Sequence, residues 1–415
     1  GQIIMANVSS SNGLEKRPKL RFPGFDEPWQ STLLSSVFAK NTKKNTDGQI
    51  TNVICNSAKQ GLIPQREYFD KDIANSDNTS GYYIIEENDF VYNPRKSADA
   101  PYGPISSYKY AEAGIVSPLY LCFRAKKEIN PAFFEWYFRS SAWHRYVYLS
   151  GDSGARHDRV SIKDDTFFAM PINLPAAQEQ EHIASFLERI DQKIEMQRAL
   201  VENLKKYKRG LLREIFAKLS ESCENRKLKD VSVLFADGDW IESKDQASDG
   251  IRLIQTGNVG FGMYLDKPQN AKYISDDTFH RLNCLEIYAG DILISRLPEP
   301  AGRACLLPKS TERRITAVDC TVIRTDASVI NRNYLLQFLC SEQYLKTVNS
   351  FLAGGTRQRI SRKNLEGIEV PYPSIDKQEY YGDFLCKVDT LVFNEEQRLS
   401  YITRLRCFML QRLFI

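Results

Sequence analysis

Two globular α/β domains, each followed by a long helix, are the architecture this sequence predicts. Three observations point to it. The 415 residues exceed one ordinary domain, ordered blocks of sequence recur at a single offset, and each repeat closes in a sustained heptad seam.

Composition bounds the rest. With 42% hydrophobic residues the chain can bury sizeable cores. Lys and Arg total 56 against 52 Asp and Glu, so the net charge of +4 identifies no partner by itself, and any polyanion footprint must come from local clusters. The nine cysteines are scattered from Cys55 to Cys407 without a C-x-x-C pair. That pattern suits reduced thiols better than a disulfide framework or a metal site. No stretch of about 18 apolar residues occurs, so a cytoplasmic protein with no membrane partner is expected.

The repeat is read in blocks. Gly154-Ala-Arg156, Arg159-Val160-Ser161, Lys163, Pro171, Gln180-Glu181, Phe186-Leu187 and Asp191 return as Gly355-Thr-Arg357, Arg359-Ile360-Ser361, Lys363, Pro371, Gln378-Glu379, Phe384-Leu385 and Asp389. Upstream, Glu87-Asn-Asp89 matches Ala289-Gly-Asp291, and Ile129-Asn130-Pro131 matches Ile330-Asn331-Arg332. Short β-rich runs such as Gly81–Ile85, Phe90–Tyr92, Pro118–Phe123, Asp291–Ile294 and Cys320–Ile323 alternate with turn residues, and helical stretches span 131–148 and 331–351. The predicted partition is an N-terminal extension at 1–19, a first domain at 20–175, a spacer helix at 176–226, a second domain at 227–373 and a C-terminal helix at 374–415.

Each helix carries apolar residues at alternating spacings of three and four. The first seam is Leu187, Ile190, Ile194, Val201, Leu204, Leu211 and Ile215, interrupted by Gln197 and Lys208. The second is Leu385, Val388, Val392, Leu399, Ile402, Met409 and Leu413, interrupted by Glu395 and Arg406. Matched seams predict that the two helices pair with each other as an antiparallel coil with pseudo-two-fold symmetry.

Several local motifs then fall in order: Leu20-Arg-Phe-Pro-Gly-Phe25 with Trp29, Asp89-Phe-Val-Tyr-Asn93-Pro94, Gly114-Ile-Val-Ser-Pro118, and the Pro171 and Pro371 segments that lead into Gln-Glu helices. Together with the duplication, they make the chain resemble the specificity subunit family of Type I restriction-modification enzymes. That resemblance implies that each globular region is a target-recognition domain reading one half of a split double-stranded DNA target. It also implies that the helices set the distance between the halves and dock two methyltransferase subunits. S-adenosylmethionine would then sit on those partners and ATP with Mg on restriction subunits, with no cofactor in this chain.

Two kinds of loop are candidates for DNA contact. Arg156 and Arg159, with their counterparts Arg357, Gln358 and Arg359, combine glycine-rich backbone with the fork geometries used on phosphates and purine edges. Asn93, Arg95, Lys96, Ser97 and Tyr102 follow the Asp89 strand, as Arg296 and Arg303 follow the Asp291 strand, on Pro/Gly-stiffened loops. Trp136, Tyr137 and Trp143 read as core.

Catalytic signals are missing. Asn93-Pro94 is followed by Arg95, so the Asn/Asp-Pro-Pro-aromatic motif of amino-group methyltransferases is absent, and Gly257, Gly260 and Gly262 do not fit a dinucleotide loop. His144, His157, His182 and His280 show no metal-ligand spacing. The expected reading is a non-catalytic DNA-binding subunit. The alternative is a freestanding bipartite DNA-binding regulator, which would purify without a methyltransferase partner.

Overall fold

In the computed structural model, residues 4–5, 16–68, 79–151, 158–352 and 358–415 are described. The chain divides into two units, one of residues 1–196 with 399–415 and the other of residues 197–398. Each unit therefore holds one globular domain and a segment of both long helices.

In the first unit, the strand Gln30–Leu33 pairs antiparallel with Pro171–Leu174, joining the start of the domain to the segment before the first long helix. Between them lie two four-stranded sheets. One is antiparallel, in the order Phe38–Lys40, Leu121–Ala125, Phe90–Tyr92, Ile105–Ser107. The other runs Gly61–Pro64, Val53–Ser57, Gly114–Val116, Tyr83–Ile85, with its two central strands parallel. The helix Pro131–Arg139 starts with proline in its first turn and with the Asn130 side chain accepting from the Phe133 amide. It buries Phe133, Phe134, Trp136, Tyr137 and Phe138 against the antiparallel sheet and against Ile183 and Leu187 of the first long helix. Phe38 sits among Phe90, Phe123 and Phe134 with ring centroids 5.0–5.4 Å away. Trp136, Tyr137 and Trp143 are 4%, 1% and 1% exposed, so these three are core, as the sequence indicates.

The second unit repeats the plan. Its four-stranded sheet runs Leu234–Asp237, Cys320–Arg324, Ile292–Ser295, Ala304–Leu306, the same order strand for strand. Lys272–Ile274, Ile251–Ile254 and Arg314–Thr316 form the other sheet, again with a parallel pair. The fourth strand has shrunk to a single bridge between Ile287 and Arg314. Asn225–Lys227 pairs with Glu369–Pro371, and Asn331 caps the helix Arg332–Leu339 through the Tyr334 amide.

The repeated aspartates acquire a reason here. Asp89 receives Arg124 through two parallel hydrogen bonds of 2.6 and 2.7 Å and also accepts from the Glu86 amide at 2.9 Å. Asp291 receives Arg324 at 2.8 and 2.7 Å and accepts from the Tyr288 amide at 2.8 Å. Each forked pair links a strand start to its neighbouring strand, and the amide bond closes the turn before it.

The long helices are Ala177–Ser222, 46 residues, and Ile375–Arg412, 38 residues. Every seam residue is buried or half-buried, including Leu187, Ile190, Ile194, Val201, Leu204 and Leu211 on one helix. Leu385, Val388, Val392, Leu399, Ile402 and Met409 behave alike on the other. Within each unit the segments run antiparallel. In the first, Asp191 meets Arg406 while Asn173 reaches the Ile415 carbonyl. In the second, Gln197 donates to Glu395 at 2.7 Å and Lys208 meets Asp389. The polar interruptions of the seam are thus paired inside it. Among the described residues no helix is long and apolar enough to cross a membrane.

Candidate nucleic-acid interface

The hairpin of the first domain sets the site. Val53–Ser57 turns at residues 58–60 into Gly61–Pro64, and Gly61 takes the positive φ of +73° that closes so short a turn. Asn56, 5% exposed, anchors the hairpin: its amide donates to the Val91 carbonyl at 2.7 Å and its oxygen accepts from the Ser106 hydroxyl at 2.8 Å. The tip, Ala58-Lys59-Gln60, is exposed.

Beside it the two predicted loops meet. The Lys96 amide donates to the Asp158 carbonyl at 2.8 Å and the Val160 amide to the Pro94 carbonyl at 2.9 Å, so Arg95 and Arg159 lie opposite each other on a two-residue ladder. Asn93 is turned inward, its amide donating to the Asn56 carbonyl at 3.2 Å and its oxygen accepting from the Arg95 amide at 3.1 Å. Gly103 closes the loop at φ +83°, where a Cβ would stand 2.2 Å from the Asn93 carbonyl oxygen, so no other residue fits.

The result is a cleft of about 730 Å³ lined by Lys59, Gln60, Gln65, Arg95, Lys96, Ser97, Tyr120 and Arg159. Lys59 reaches Asp99 at 3.6 Å, whereas among the described residues Arg95, Lys96 and Arg159 form no ion pair. Three cations held together by backbone pairing, with their charge unbalanced, make a site for an anion. Burial, and then the neighbouring Cys55, push the Tyr120 hydroxyl up, so it stays protonated at the cleft floor.

The second domain has a cleft of about 640 Å³ built mainly by the segment that follows the strand Leu234–Asp237 and lined by Asp239, Trp240, Glu242, Lys244, Gln246, Gln255 and Lys272; only Gln255 and Ala317 stand where Cys55 and Ser117 line the first cleft. Its character differs. Trp240 presents a ring that is 69% exposed, two glutamines offer both donors and acceptors, and burial pushes the Asp239 carboxyl up.

The predicted residues divide accordingly. Arg95, Lys96, Ser97 and Arg159 share the first cleft. Tyr102 instead packs its ring on His144 at 4.7 Å and on Trp143 at 6.5 Å. In the second domain Arg296 is 6% exposed, donates to the Val318 carbonyl at 2.6 Å and lies 3.4 Å from Asp237. Arg303 is spent on the carbonyls of Val259, Leu297, Pro300 and Thr256, at 2.7, 3.0, 3.1 and 2.9 Å. The sequence places these three on the surface of stiff loops. The fold uses Tyr102, Arg296 and Arg303 to tie those loops down. Gln358 and Arg359 are exposed, with Arg359 3.6 Å from Asp319, and the Ile360 amide donates to the Arg296 carbonyl at 3.3 Å, so the two loops meet in this domain as well. Arg156 and Arg357 lie outside the described residues.

Sequence reasoning missed Lys59, Gln60, Tyr120, Trp240, Lys244, Gln246, Gln255 and Lys272. A usable signal existed for two of them, since Ala58-Lys-Gln-Gly61 between the apolar runs Val53-Ile-Cys55 and Leu62-Ile63 is a hairpin pattern. Among the described residues no group of His, Cys, Asp or Glu could hold a metal ion.

Comparison with known proteins places this geometry. The Type I restriction modification DNA specificity domain matches the chain twice, over residues 27–206 and 220–404. The MjaVIII specificity subunit of a Type I restriction enzyme from Methanocaldococcus jannaschii is 24% identical over 244 residues, 54% of this chain and 57% of that protein. The chain thus spans little more than half the length of the curated relatives it matches. The HsdS subunit of Thermoanaerobacter tengcongensis shares the fold with a TM-score of 0.51 at 17% identity, over 95% of this chain and 97% of its own. A chain from a structure on complex assembly and conformational transition of the type I R-M system reaches a TM-score of 0.59 at 18% identity, over 93% of this chain and 97% of its own. With the family match covering most of the sequence and falling once on each repeat, the chain belongs to the Type I restriction-modification specificity subunit family.

Proposed function

We propose that this chain reads a bipartite double-stranded DNA target, one half-site per domain, and carries no catalytic centre of its own. The observation that supports this best is the duplication itself, with the DNA specificity domain matching once on each repeat and a polar cleft on each. In the first domain Arg95, Lys96 and Arg159 would hold phosphates and fix register, while Lys59 and Gln60 on the hairpin tip would reach base edges in the major groove. In the second, Gln246, Gln255 and Lys272 would read edges beside Trp240. The two clefts differ in chemistry, so their half-sites should differ in sequence.

Methylation would be done by methyltransferase subunits carrying S-adenosylmethionine, and cleavage by ATP-dependent restriction subunits, in the cytoplasm. Docking is supported by apolar side chains that the helices leave exposed: Met196, Tyr401 and Phe408 in the first unit, and Tyr380, Leu391 and Phe393 in the second. Co-expression with candidate methyltransferase subunits, followed by methylation mapping of genomic DNA, tests the reading. A two-part modified motif supports it. Purification of this chain alone, bound to unmodified DNA, would favour the freestanding regulator.

A further inference from the structure

The two copies build one polar junction at three matching positions. In the first unit the Asp191 carboxylate, on the helix Ala177–Ser222, accepts from Arg139 at 3.4 Å and from Arg406. Arg139 ends the domain helix Pro131–Arg139, and Arg406 lies on the antiparallel helix Ile375–Arg412. In the second unit Asp389 accepts from Gln337 at 2.7 Å, on the domain helix Arg332–Leu339, and from Lys208. All three positions share one repeat offset of 198 residues: 139 with 337, 191 with 389, 208 with 406. The carboxylate is kept while its donors change from two arginines to a glutamine and a lysine.

Around each junction the packing is apolar. Ile183 and Leu187 share one core with Phe133 and Tyr137 in the first unit, and Leu385 shares the other with Phe338 and Phe216. Apolar contact is non-directional and tolerates sliding or rolling of one helix on another. A carboxylate that accepts charge-assisted bonds from two further helices does not, because those bonds weaken steeply with angle and distance. One oxygen pair thereby pins three helices from remote parts of the sequence.

We infer that Asp191 and Asp389 are positioning residues that fix the pose of each recognition domain on its helices, and so the half-site spacing the protein accepts. This rests on the reading of the domains as half-site readers. The assay uses the full chain assembled with its methyltransferase subunits. Spacing in the wild-type methylome defines the native duplex, and competition against duplexes one base pair shorter and longer measures discrimination.

Asp191→Ala and Asp389→Ala should leave both half-site sequences unchanged and reduce spacer discrimination about tenfold, the scale of one charge-assisted hydrogen bond. Asp191→Asn, of the same shape, gives a second measurement should the alanine variant fold poorly. Arg139→Gln with Arg406→Lys installs the second unit's donors in the first and should keep discrimination near the wild-type value. Lower thermal stability with undiminished discrimination in the Asp variants would overturn the proposal and leave a structural role only. A wild-type methylome without a two-part motif would instead fail the half-site reading itself, before any variant is compared.

Discussion

Lengthening both helices where the two units divide should lengthen the DNA spacer by one or two base pairs. The division falls between Met196 and Gln197 and between Arg398 and Leu399. Four residues inserted after Met196 and four after Arg398 leave every pair named above inside its own unit: Asp191 with Arg406, Gln197 with Glu395, Lys208 with Asp389. Four helical residues add about 6 Å and about 40° beyond a full turn. With the helices lying along the duplex, about 6 Å is roughly two base pairs of rise. One base pair turns the helix by about 35°, so rotation favours one added pair and length favours two. A seven-residue pair of insertions keeps the heptad but adds about 10 Å while falling about 20° short of two turns. Three base pairs, the matching length, would turn the half-site by about 105°, so this variant should lose most modification. Genomic methylation sequencing of cells expressing each variant with its methyltransferase subunits reads the spacer directly. An active four-residue variant with the native spacer, or a seven-residue variant as active as the four-residue one, would refute the helices as the ruler.

Other outcomes follow from single side chains. Replacing Arg95, Lys96 and Arg159 with alanine should lower the salt dependence of DNA affinity by about 0.9 in log–log slope for each phosphate contact removed, measured by titration at several salt concentrations. Arg303→Ala removes the donor to the part-buried carbonyls of Val259, Leu297 and Thr256 and should cost about 1–3 kcal/mol in denaturant unfolding, with the target motif unchanged in methylation sequencing. Phe216 is fully buried against Tyr334 and Phe338, and Phe216→Ala should cost about 3–5 kcal/mol in the second unit alone. The Asp239 carboxyl is raised by burial, so its ionisation opposes folding. Its contribution is fully present below the ordinary carboxylate value and lost as pH rises through the higher folded value. Asp239→Asn should therefore flatten the decline of stability across that acidic window, as followed by melting temperature against pH.

The seams were legible because heptad periodicity needs only local spacing, and residues such as Leu187 and Leu385 sit where that spacing puts them. Duplication was legible because the matching blocks keep their order. Reasons were harder to read than positions. Asp89 and Asp291 align in sequence, but Arg124 and Arg324, which donate to them, lie more than thirty residues on and meet them only through strand pairing. Arg303 has the local sequence of a groove contact, and nothing nearby shows that the carbonyls of Thr256 and Val259 will surround it. The hairpin tip escaped notice for the opposite reason, since a polar turn such as Lys59-Gln60 looks like any solvated loop until the paired segments at 95 and 159 arrive beside it.

Leu413 and Phe414 belong to the aromatic core of the first unit, Phe414 lying 5.6 Å from Phe133 and 6.1 Å from Tyr137, centroid to centroid. The last strand of the domain whose core they complete ends at Leu174, roughly 240 residues earlier. During synthesis at about 5–20 residues per second, that core waits roughly 10–50 s for its last members, and the second unit, complete at Arg398, has all its parts about 1–3 s sooner. The part of the protein translated first is thus the last to close, and the sides of Phe133 and Tyr137 that Phe414 covers stay open until it arrives.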